Sequence, residues 1–488
     1  LNLFVVLKLV GLLLVLFGGS TVAGLLWSLA EGDGAWGAFV LSGVIGVGVG
    51  GALYGIGRLR PQPIYRREAL AVVALAWLGS AAVGALPFWF SRESQFASVV
   101  DCFFESTSGL TTTGASILTD IEALPRSVIF WRSWLHWVGG VGIIMLVMAV
   151  LPYLGVGGRI LVRTEVTGPV KETLTPRIAD TARLIAALYL GYTAVETVLL
   201  MIAGLSFFDA LCHTFGTLAT GGFSTRNASI AAFDSRAVEL IIGVFMILGA
   251  TNFGLAFACL KRRDPLGLLK DAEWRSYMGL LLGATAVGVW IVSSHGVYAS
   301  LGQTVRAVGF TVVSISTTTG FTTADYETWP AAAQLSLLLL MFVGGHAGST
   351  GGGVKWVRCL ILAGVVRGAL LRAYRPQVVH TVKIGGEAVD EDTLRGVLTF
   401  LILWVGVFAG GAVALGLLEG GTDLMTPMGA AASAINSIGP GLGRVGPVEN
   451  YAHLREASKA LLALVMLIGR LEIYPILILF APRFWHSK

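Results

Sequence analysis

Residues 106–116 read STSGLTTTGAS, and the stretch returns in altered form three times: LATGGFST at 218–225, SISTTTGFTT at 314–323 and SAINSIGPGLG at 433–443. Superposing Gly114, Gly222, Gly320 and Gly439 puts Ser108, Gly216, Ser314 and Ser433 six positions upstream, and Thr112, Thr220, Thr318 and Ser437 two positions upstream. A small residue, a hydroxyl and a glycine recur at fixed offsets. Self-similarity of this kind marks a structural repeat.

The surrounding chain is built for lipid. Of 488 residues, 55% are hydrophobic and 13% charged, about half the charged share of a soluble protein, and the mean hydropathy is +0.77. This composition excludes a soluble enzyme and describes a polytopic membrane protein. The net charge of +5 calls for no nucleic acid, because the basic residues cluster in particular loops. Cys102, Cys212, Cys259 and Cys359 lie in or beside apolar segments without paired spacing, as reduced packing residues do.

Apolar spans at 3–29, read as a retained helix, and 36–57 form a first hairpin, followed by Arg58, Arg60, Arg66 and Arg67. Basic loops of this kind face the cytoplasm. A span at 69–90, a half-helix at 98–107 too short to cross, the first glycine–threonine stretch and a span at 127–151 then lead to Arg159, Arg163, Lys171 and Arg177. The order repeats at 181–205, 207–218 and 237–260, ending in Lys261, Arg262 and Arg263; at 274–293, 301–315 and onward from 330; and at 393–418, 423–435 and 458–480, ending in Arg483 and Lys488. The expected organisation is an N-terminal two-helix unit at 1–68 and pore repeats at 69–180, 181–273, 274–392 and 393–488, all in one orientation. The fold class is all-α: four fused M1–pore loop–M2 repeats about a fourfold pseudo-axis normal to the membrane.

Non-helical backbone at membrane depth is tolerated only where protein or trapped water satisfies it. Four copies can do so jointly around one water-filled axis. Glycine admits positive φ, hydroxyls add oxygens without net charge, and rings of carbonyls can replace the hydration shell of a monovalent cation. The C-terminal end of each half-helix dipole adds to the attraction. The candidate cation-binding residues are Thr111, Thr112, Thr113 and Gly114; Ala219, Thr220, Gly221 and Gly222; Thr317, Thr318, Thr319 and Gly320; and Asn436, Ser437, Ile438 and Gly439. Asp101 and Asp209, at one shared offset before their glycines, read as N-caps of the half-helices.

The third returning span runs over 331–375, about twice what one crossing needs, and contains GGHAGSTGGG at 344–353. A glycine run cannot hold a stable helix, so the span is expected to break. The run is no phosphate loop, lacking the Gly-Lys-Ser/Thr ending and a preceding strand, and GVGVGG at 46–51 is a small-residue helix face.

The four filter segments, GGHAGSTGGGVKWVR at 344–358, GPGLG at 439–443 and GRLEIYPILILFAPRFW at 469–485 closely resemble the Trk-type bacterial potassium uptake proteins of the Trk/Ktr/HKT superfamily, over nearly the whole chain. The extra N-terminal helix pair resembles the Trk branch and not the shorter Ktr branch. The resemblance implies uptake of K+ at the filter, a homodimer with one pore per subunit in the bacterial inner membrane, and a cytoplasmic C-terminus. It also implies a TrkA-like cytosolic regulatory subunit that binds the nucleotide, ATP/ADP or NAD/NADH; no cofactor is intrinsic and K+ is the one metal ion expected. It makes Gly344, Gly345, His346, Ala347, Gly348, Ser349, Thr350, Gly351, Gly352 and Gly353 a gate below the filter, and Arg470 a positive barrier beside the pore. The alternative for Arg470 is a structural arginine bonding carbonyls.

His346 departs from the family pattern, which more often has a small residue there. It reads either as a pH-sensitive element of the pathway or, the preferred reading, as a hydrogen-bond donor to a backbone carbonyl. Glu105, Glu196, His136, His213 and Asn252 read as scaffold hydrogen bonds between helices. Lys355, Arg358, Arg367, Arg372 and Arg375 suit either an acidic regulatory surface or ordinary positive-inside topology. The competing function is a Na+- or H+-coupled K+ symporter, against which no acidic pair stands in the pathway. An enzyme would need a catalytic constellation, and none is legible.

Overall fold

A computed structural model describes residues 1–59, 65–150, 178–264, 266–378, 381–421 and 423–485, with backbone alone for 66, 143–150, 178–182 and 387. Arg60, Arg159, Arg163, Lys171, Arg177 and Lys488, used above for topology, lie outside the described residues.

The N-terminal unit is a hairpin of Leu3–Gly19 and Val22–Glu31 against Trp36–Gly57. Its first span is interrupted at Ser20 and Thr21, whose hydroxyls donate to the Phe17 and Gly18 carbonyls (2.7 and 2.8 Å). The two long helices meet backbone to backbone: a Cβ on Gly11 would lie 2.4 Å from the Tyr54 nitrogen, and one on Gly50 would lie 2.7 Å from the Gly11 oxygen. Small-residue faces allow this approach in lipid, where packing replaces the hydrophobic drive. The turn of the hairpin reaches repeat 1, where Asp33 Oδ2 accepts from the Ser127 amide (3.0 Å).

The order outer helix, pore helix, inner helix then recurs four times. Outer helices are Arg66–Ser91, Ile178–Ile202, Ala272–Ser294 and Glu391–Glu419. Pore helices are Val99–Leu110, Phe207–Leu218, Leu301–Ser316 and Met425–Asn436. Inner helices begin as Arg126–Val150, Arg236–Gly249, Ala331–Leu340 and Glu456–Arg470. A pore helix of 12 residues rises about 18 Å at 1.5 Å per residue, well short of a hydrocarbon core about 30 Å thick. Six described helices are long and apolar enough to cross a membrane, or seven if one bent pair is counted as a span. A two-residue antiparallel pair, Lys383–Ile384 with Glu387–Ala388, lies between repeats 3 and 4.

Two sequence expectations need correction. Asp101 and Asp209 are not the N-caps of their pore helices. Ser98 and Ser206 hold that place, each accepting from the amide of the aspartate three residues on (3.1 Å in both), as does Ser300 from Gln303 (3.3 Å). A serine hydroxyl reaches the N3 amide and leaves the carboxylates free for partners: Asp101 takes Lys459 of inner helix 4 at 2.7 Å, buried, and Asp209 takes the Thr225 hydroxyl at 2.6 Å. Second, inner helices 1, 2 and 4, expected to be continuous, are broken, as inner helix 3 was expected to be. Inner helix 1 kinks at Gly142 (φ 69°), and inner helix 2 turns by 100° before Phe253–Lys261. Inner helix 3 stops at Leu340 and resumes as Trp356–Tyr374, and inner helix 4 breaks at Glu472 and Ile473 (φ 54° and 71°). Asn252 causes the second break by capping the new helix at the Leu255 amide (3.0 Å).

Just before three of these breaks a glycine meets the end of the neighbouring pore helix. A Cβ on Gly139 would lie 1.9 Å from the Leu110 oxygen, one on Gly469 2.0 Å from the Ile435 oxygen, and one on Gly249 3.1 Å from the Leu218 oxygen. Adjacent repeats are also joined by ions, Lys459 to Asp101 as above and Arg306 of pore helix 3 to Glu239 of inner helix 2 (2.7 and 2.8 Å). Gly139→Ala is therefore expected to destabilise the protein by about 1–3 kcal/mol, the usual cost of overpacking. Gly48→Ala, where nothing lies within 4 Å, should not. Melting of the two purified variants in detergent checks this; equal melting would show that the inner helix can move away from the pore helix freely.

Candidate functional site

All four pore helices end in the same way. The residue two before each repeat glycine is left-handed: Thr112, Thr220, Thr318 and Ser437 have φ of 53°, 53°, 60° and 56°. Its amide bonds the carbonyl three residues back (Gly109, Thr217, Ile315 and Ala434, at 3.1, 3.0, 3.1 and 3.4 Å). The next amide bonds the carbonyl five residues back (Ser108, Gly216, Ser314 and Ser433, at 2.8, 2.7, 2.9 and 3.1 Å). These paired bonds are a Schellman C-cap, whose left-handed position ordinarily carries glycine. They give the small upstream residue its reason, since its carbonyl is the acceptor. Three β-branched threonines and a serine occupy the left-handed position instead, and strained backbone of this kind concentrates at functional sites.

The four strands close a ring. A Cβ on Gly114 would meet the Gly221 oxygen at 2.0 Å, on Gly222 the Thr319 oxygen at 2.1 Å, on Gly320 the Ile438 oxygen at 1.8 Å, and on Gly439 the Thr113 oxygen at 2.7 Å. Each glycine abuts the carbonyl of the next strand, in the cyclic order 1-2-3-4. The sixteen nominated residues are thus brought together, all buried except the partly exposed Gly114 and Gly222. Among the described residues, the Thr112 and Ser437 hydroxyls have no hydrogen-bond partner. The Gly439 carbonyl accepts from both the Ser433 hydroxyl (2.6 Å) and the Tyr451 hydroxyl (2.8 Å). No such donor reaches the carbonyls of Gly114, Gly222 or Gly320 among the described residues.

The segment 344–353 docks against this ring. His346 donates its amide and Nδ1 to the Ala250 carbonyl (2.9 and 2.8 Å), at the break of inner helix 2. The ring thus makes the carbonyl bond preferred above. Asn252 Nδ2 donates to the Ala347 oxygen (2.7 Å), and the Phe253 amide to Gly348 (3.2 Å). Thr350 Oγ1 is shared between the Leu218 and Gly249 carbonyls (2.8 and 2.9 Å). The Gly352 amide donates to Thr318 Oγ1 (2.7 Å), and a Cβ on Gly352 would lie 2.2 Å from the Asn436 oxygen. Gly344 and Gly353 are left-handed (φ 71° and 74°) and in contact, Ser349 Oγ donates back to His346 O (2.7 Å), Gly345 O accepts from the Trp356 amide (3.0 Å), and Gly351 O accepts from Lys355 Nζ.

Arg470 joins the segment to repeat 1, donating from Nη1 to the Thr350 oxygen (2.7 Å) and from Nη2 to the Gly139 oxygen (2.8 Å). It bonds carbonyls, as the structural alternative expects, and stands at the docked segment. Glu472 pairs with Arg358 at 2.6 Å. Arg358 in that pair and Lys355 on the Gly351 carbonyl are both buried, so of the five basic residues offered for a regulatory surface only Arg367, Arg372 and Arg375 are exposed.

Among the scaffold residues, Glu105 accepts from Arg132 Nε (2.7 Å), Ser116 Oγ (2.9 Å) and the Ile117 amide (3.0 Å). His213 bonds Asp209 O and Ser224 Oγ (2.7 and 2.9 Å). Glu196 departs from the expectation: both its oxygens are buried without a hydrogen bond among the described residues. Sequence reasoning passed over Arg132, which is 1% exposed and also donates to Ser116 Oγ (3.1 Å) and the Ser224 carbonyl (3.3 Å). The available signal was its spacing, four residues before His136 on one helical face.

A family model for TrkH, described as a cation transport protein, matches residues 38–487. The chain is 38% identical over 481 residues to the Trk system potassium uptake protein TrkH of Escherichia coli K12, covering 98% of this chain and 99% of that one. It is 34% identical to TrkG of the same organism, covering 92% of each. The crystal structure of the potassium transporter TrkH from Vibrio parahaemolyticus superposes with a TM-score of 0.89 at 36% identity, covering 100% of both chains. A transport family thus accounts for the whole fold, and the chain belongs to the TrkH family of cation transport proteins.

Proposed function

We propose that this protein carries K+ into the bacterial cell across the inner membrane, channel-like, through the ring of four strands, with its C-terminus in the cytoplasm. The observation that carries the reading is the cyclic contact of each glycine with the next strand's carbonyl. Such a ring brings backbone oxygens from four strands around one axis, at a spacing only glycine permits. Carbonyl rings of this kind substitute for the hydration shell of a monovalent cation. The unpartnered Thr112 and Ser437 hydroxyls add oxygens at the level below, since a buried hydroxyl left without a partner is costly unless an ion or water completes it.

Segment 344–353 acts as the gate in this proposal. It uses the Thr318 hydroxyl of filter strand 3 for one of its own bonds, so an open pathway requires that bond to be exchanged for an ion or water contact. Arg470 holds the segment shut through Thr350 and sets a positive charge beside the path. The assembly expected from the resemblance, a homodimer with a TrkA-like nucleotide-binding subunit, completes the proposal, and the exposed Arg367, Arg372 and Arg375 supply a basic face for it.

Proteoliposomes loaded with K+ should take up tracer Rb+ without requiring Na+ or a pH gradient. A strict requirement for either would replace the channel-like reading by coupled symport, and no uptake with the regulatory subunit supplied would end the proposal. Arg470→Ala should raise Rb+ uptake several-fold by freeing Thr350 and removing the charge; unchanged uptake removes the barrier role. Thr112→Gly separates stability from function. Glycine relieves the left-handed strain, and the variant should melt at the same or a higher temperature, because such positions favour glycine by up to about 1 kcal/mol. Its K+ over Na+ preference should fall; retention of that preference would show that the hydroxyl contributes nothing to the ion.

A further inference from the structure

Two filter strands carry a hydroxyl strut. Thr111 Oγ1 and Thr113 Oγ1 are 2.8 Å apart in strand 1, and Thr317 Oγ1 and Thr319 Oγ1 are 2.8 Å apart in strand 3. The first hydroxyl of each pair also donates to the pore-helix carbonyl four residues back, Thr107 (2.7 Å) or Val313 (2.8 Å). Strand 2 has Ala219 and Gly221 at these positions, so it has neither hydroxyl.

Inner helix 1 fills the place. A Cβ on Gly221 would meet the His136 ring, 2.5 Å from Cγ and 2.6 Å from Cδ2 and Nδ1. Gly221 is not among the positive-φ glycines, so the ring, and not the backbone, is what demands glycine there. His136 is fully buried. Its Nδ1 faces the Gly109 carbonyl at 2.7 Å, its Nε2 accepts from the Phe223 amide at 3.1 Å, and its ring stacks on Phe223 at 4.2 Å. Donation at one nitrogen and acceptance at the other assign the neutral Nδ1–H tautomer. Gly109 belongs to the C-cap that starts strand 1, and Phe223 follows the last glycine of strand 2. One imidazole therefore spans the base of one strand and the exit of the next.

We propose that His136 is the strut of the second filter strand, replacing the threonine hydroxyl pair and setting the spacing between strands 1 and 2, and with it the discrimination between K+ and Na+. The proposal rests on the reading of the four strands as a cation filter. His136 acts through Gly109, Gly221 and Phe223 and does not touch the ion, so it is a positioning residue. Ions of one charge and different radius are told apart by the distances and stiffness of the oxygens around them, and a strand without its brace loses both.

The test is uptake of tracer Rb+ against Na+ in proteoliposomes, with melting measured on each protein. His136→Ala should shift the preference towards Na+ by about tenfold, the scale of one or two lost hydrogen bonds. His136→Gln should keep the wild-type ratio, because its amide oxygen accepts from the Phe223 amide. The triple variant His136→Ala, Ala219→Thr, Gly221→Thr should recover the ratio: the ring that excludes a Gly221 side chain is gone, and a threonine hydroxyl at 219 is placed to donate to Phe215 as Thr111 does to Thr107. A purely structural role would lower melting and total uptake at an unchanged ratio. A folded His136→Ala variant with wild-type preference overturns the proposal, as does a triple variant with no recovery. If His136→Ala does not fold, Gly221→Ala, which presses a methyl on the ring, decides in its place: a shift towards Na+ supports the strut and an unchanged ratio overturns it. Absence of Rb+ uptake by the wild-type protein with its regulatory subunit would instead overturn the filter reading and this proposal with it.

Discussion

A helix that must end inside a membrane has no water to satisfy its last carbonyls, and the structure around the ring follows from how four helices solve that problem. Each stops with the same two bonds, from the left-handed residue to the carbonyl three back and from the next amide to the carbonyl five back. These bonds consume acceptors that would otherwise be stranded in hydrocarbon and turn the chain out of the helix into the filter strand. The glycine that follows must then lie against the neighbouring strand, since a Cβ would approach its carbonyl within 1.8 to 2.7 Å. Cap, strand and ring are one device. The threonines in the left-handed place show that the device is not tuned for stability alone.

The ring is not uniform, and its departures are chemical. Strands 1 and 3 share the threonine strut, strand 2 leans on an imidazole, and strand 4 commits its glycine carbonyl to the Ser433 and Tyr451 hydroxyls. In the proposed reading, that leaves one quadrant with a weaker oxygen at the glycine level, because two donated protons withdraw charge from it. The docked segment is as asymmetric as the ring above it: its bonds go to strand 3, to the pore-helix end of repeat 2 and to the break of inner helix 2, while repeat 1 is reached through Arg470.

The repeat register, the serines and glycines at fixed offsets and the break in inner helix 3 were legible in the sequence, because each leaves a local mark: a left-handed site, a close approach or a glycine run too flexible for helix. The breaks in the other inner helices were not. The stretch around Ala250 and Asn252 stays apolar on both sides, and a single asparagine is a weak stop signal until it is known that its side chain caps the next helix. The caps of the pore helices were placed three positions too late for a related reason, since serine and aspartate three apart both favour a helix start and only geometry separates cap from N3. The Gly221–His136 contact joins residues remote in the chain, and nothing local announces it.

The shared position of the inner-helix breaks bears on how such a chain could arise. If one unit was copied four times, the joint was already present in the ancestor, where its hydrogen bonds had been given up and its polar groups re-satisfied. Lengthening a connection at an existing joint costs only the slow, logarithmic entropy of a longer loop, whereas opening an intact helix in hydrocarbon strands several polar groups at once. The segment 344–353 is then an elaboration of a hinge common to all repeats. Ala250 and Asn252, which hold it from repeat 2, would be the same hinge left short, put to use as the socket for its own enlarged copy.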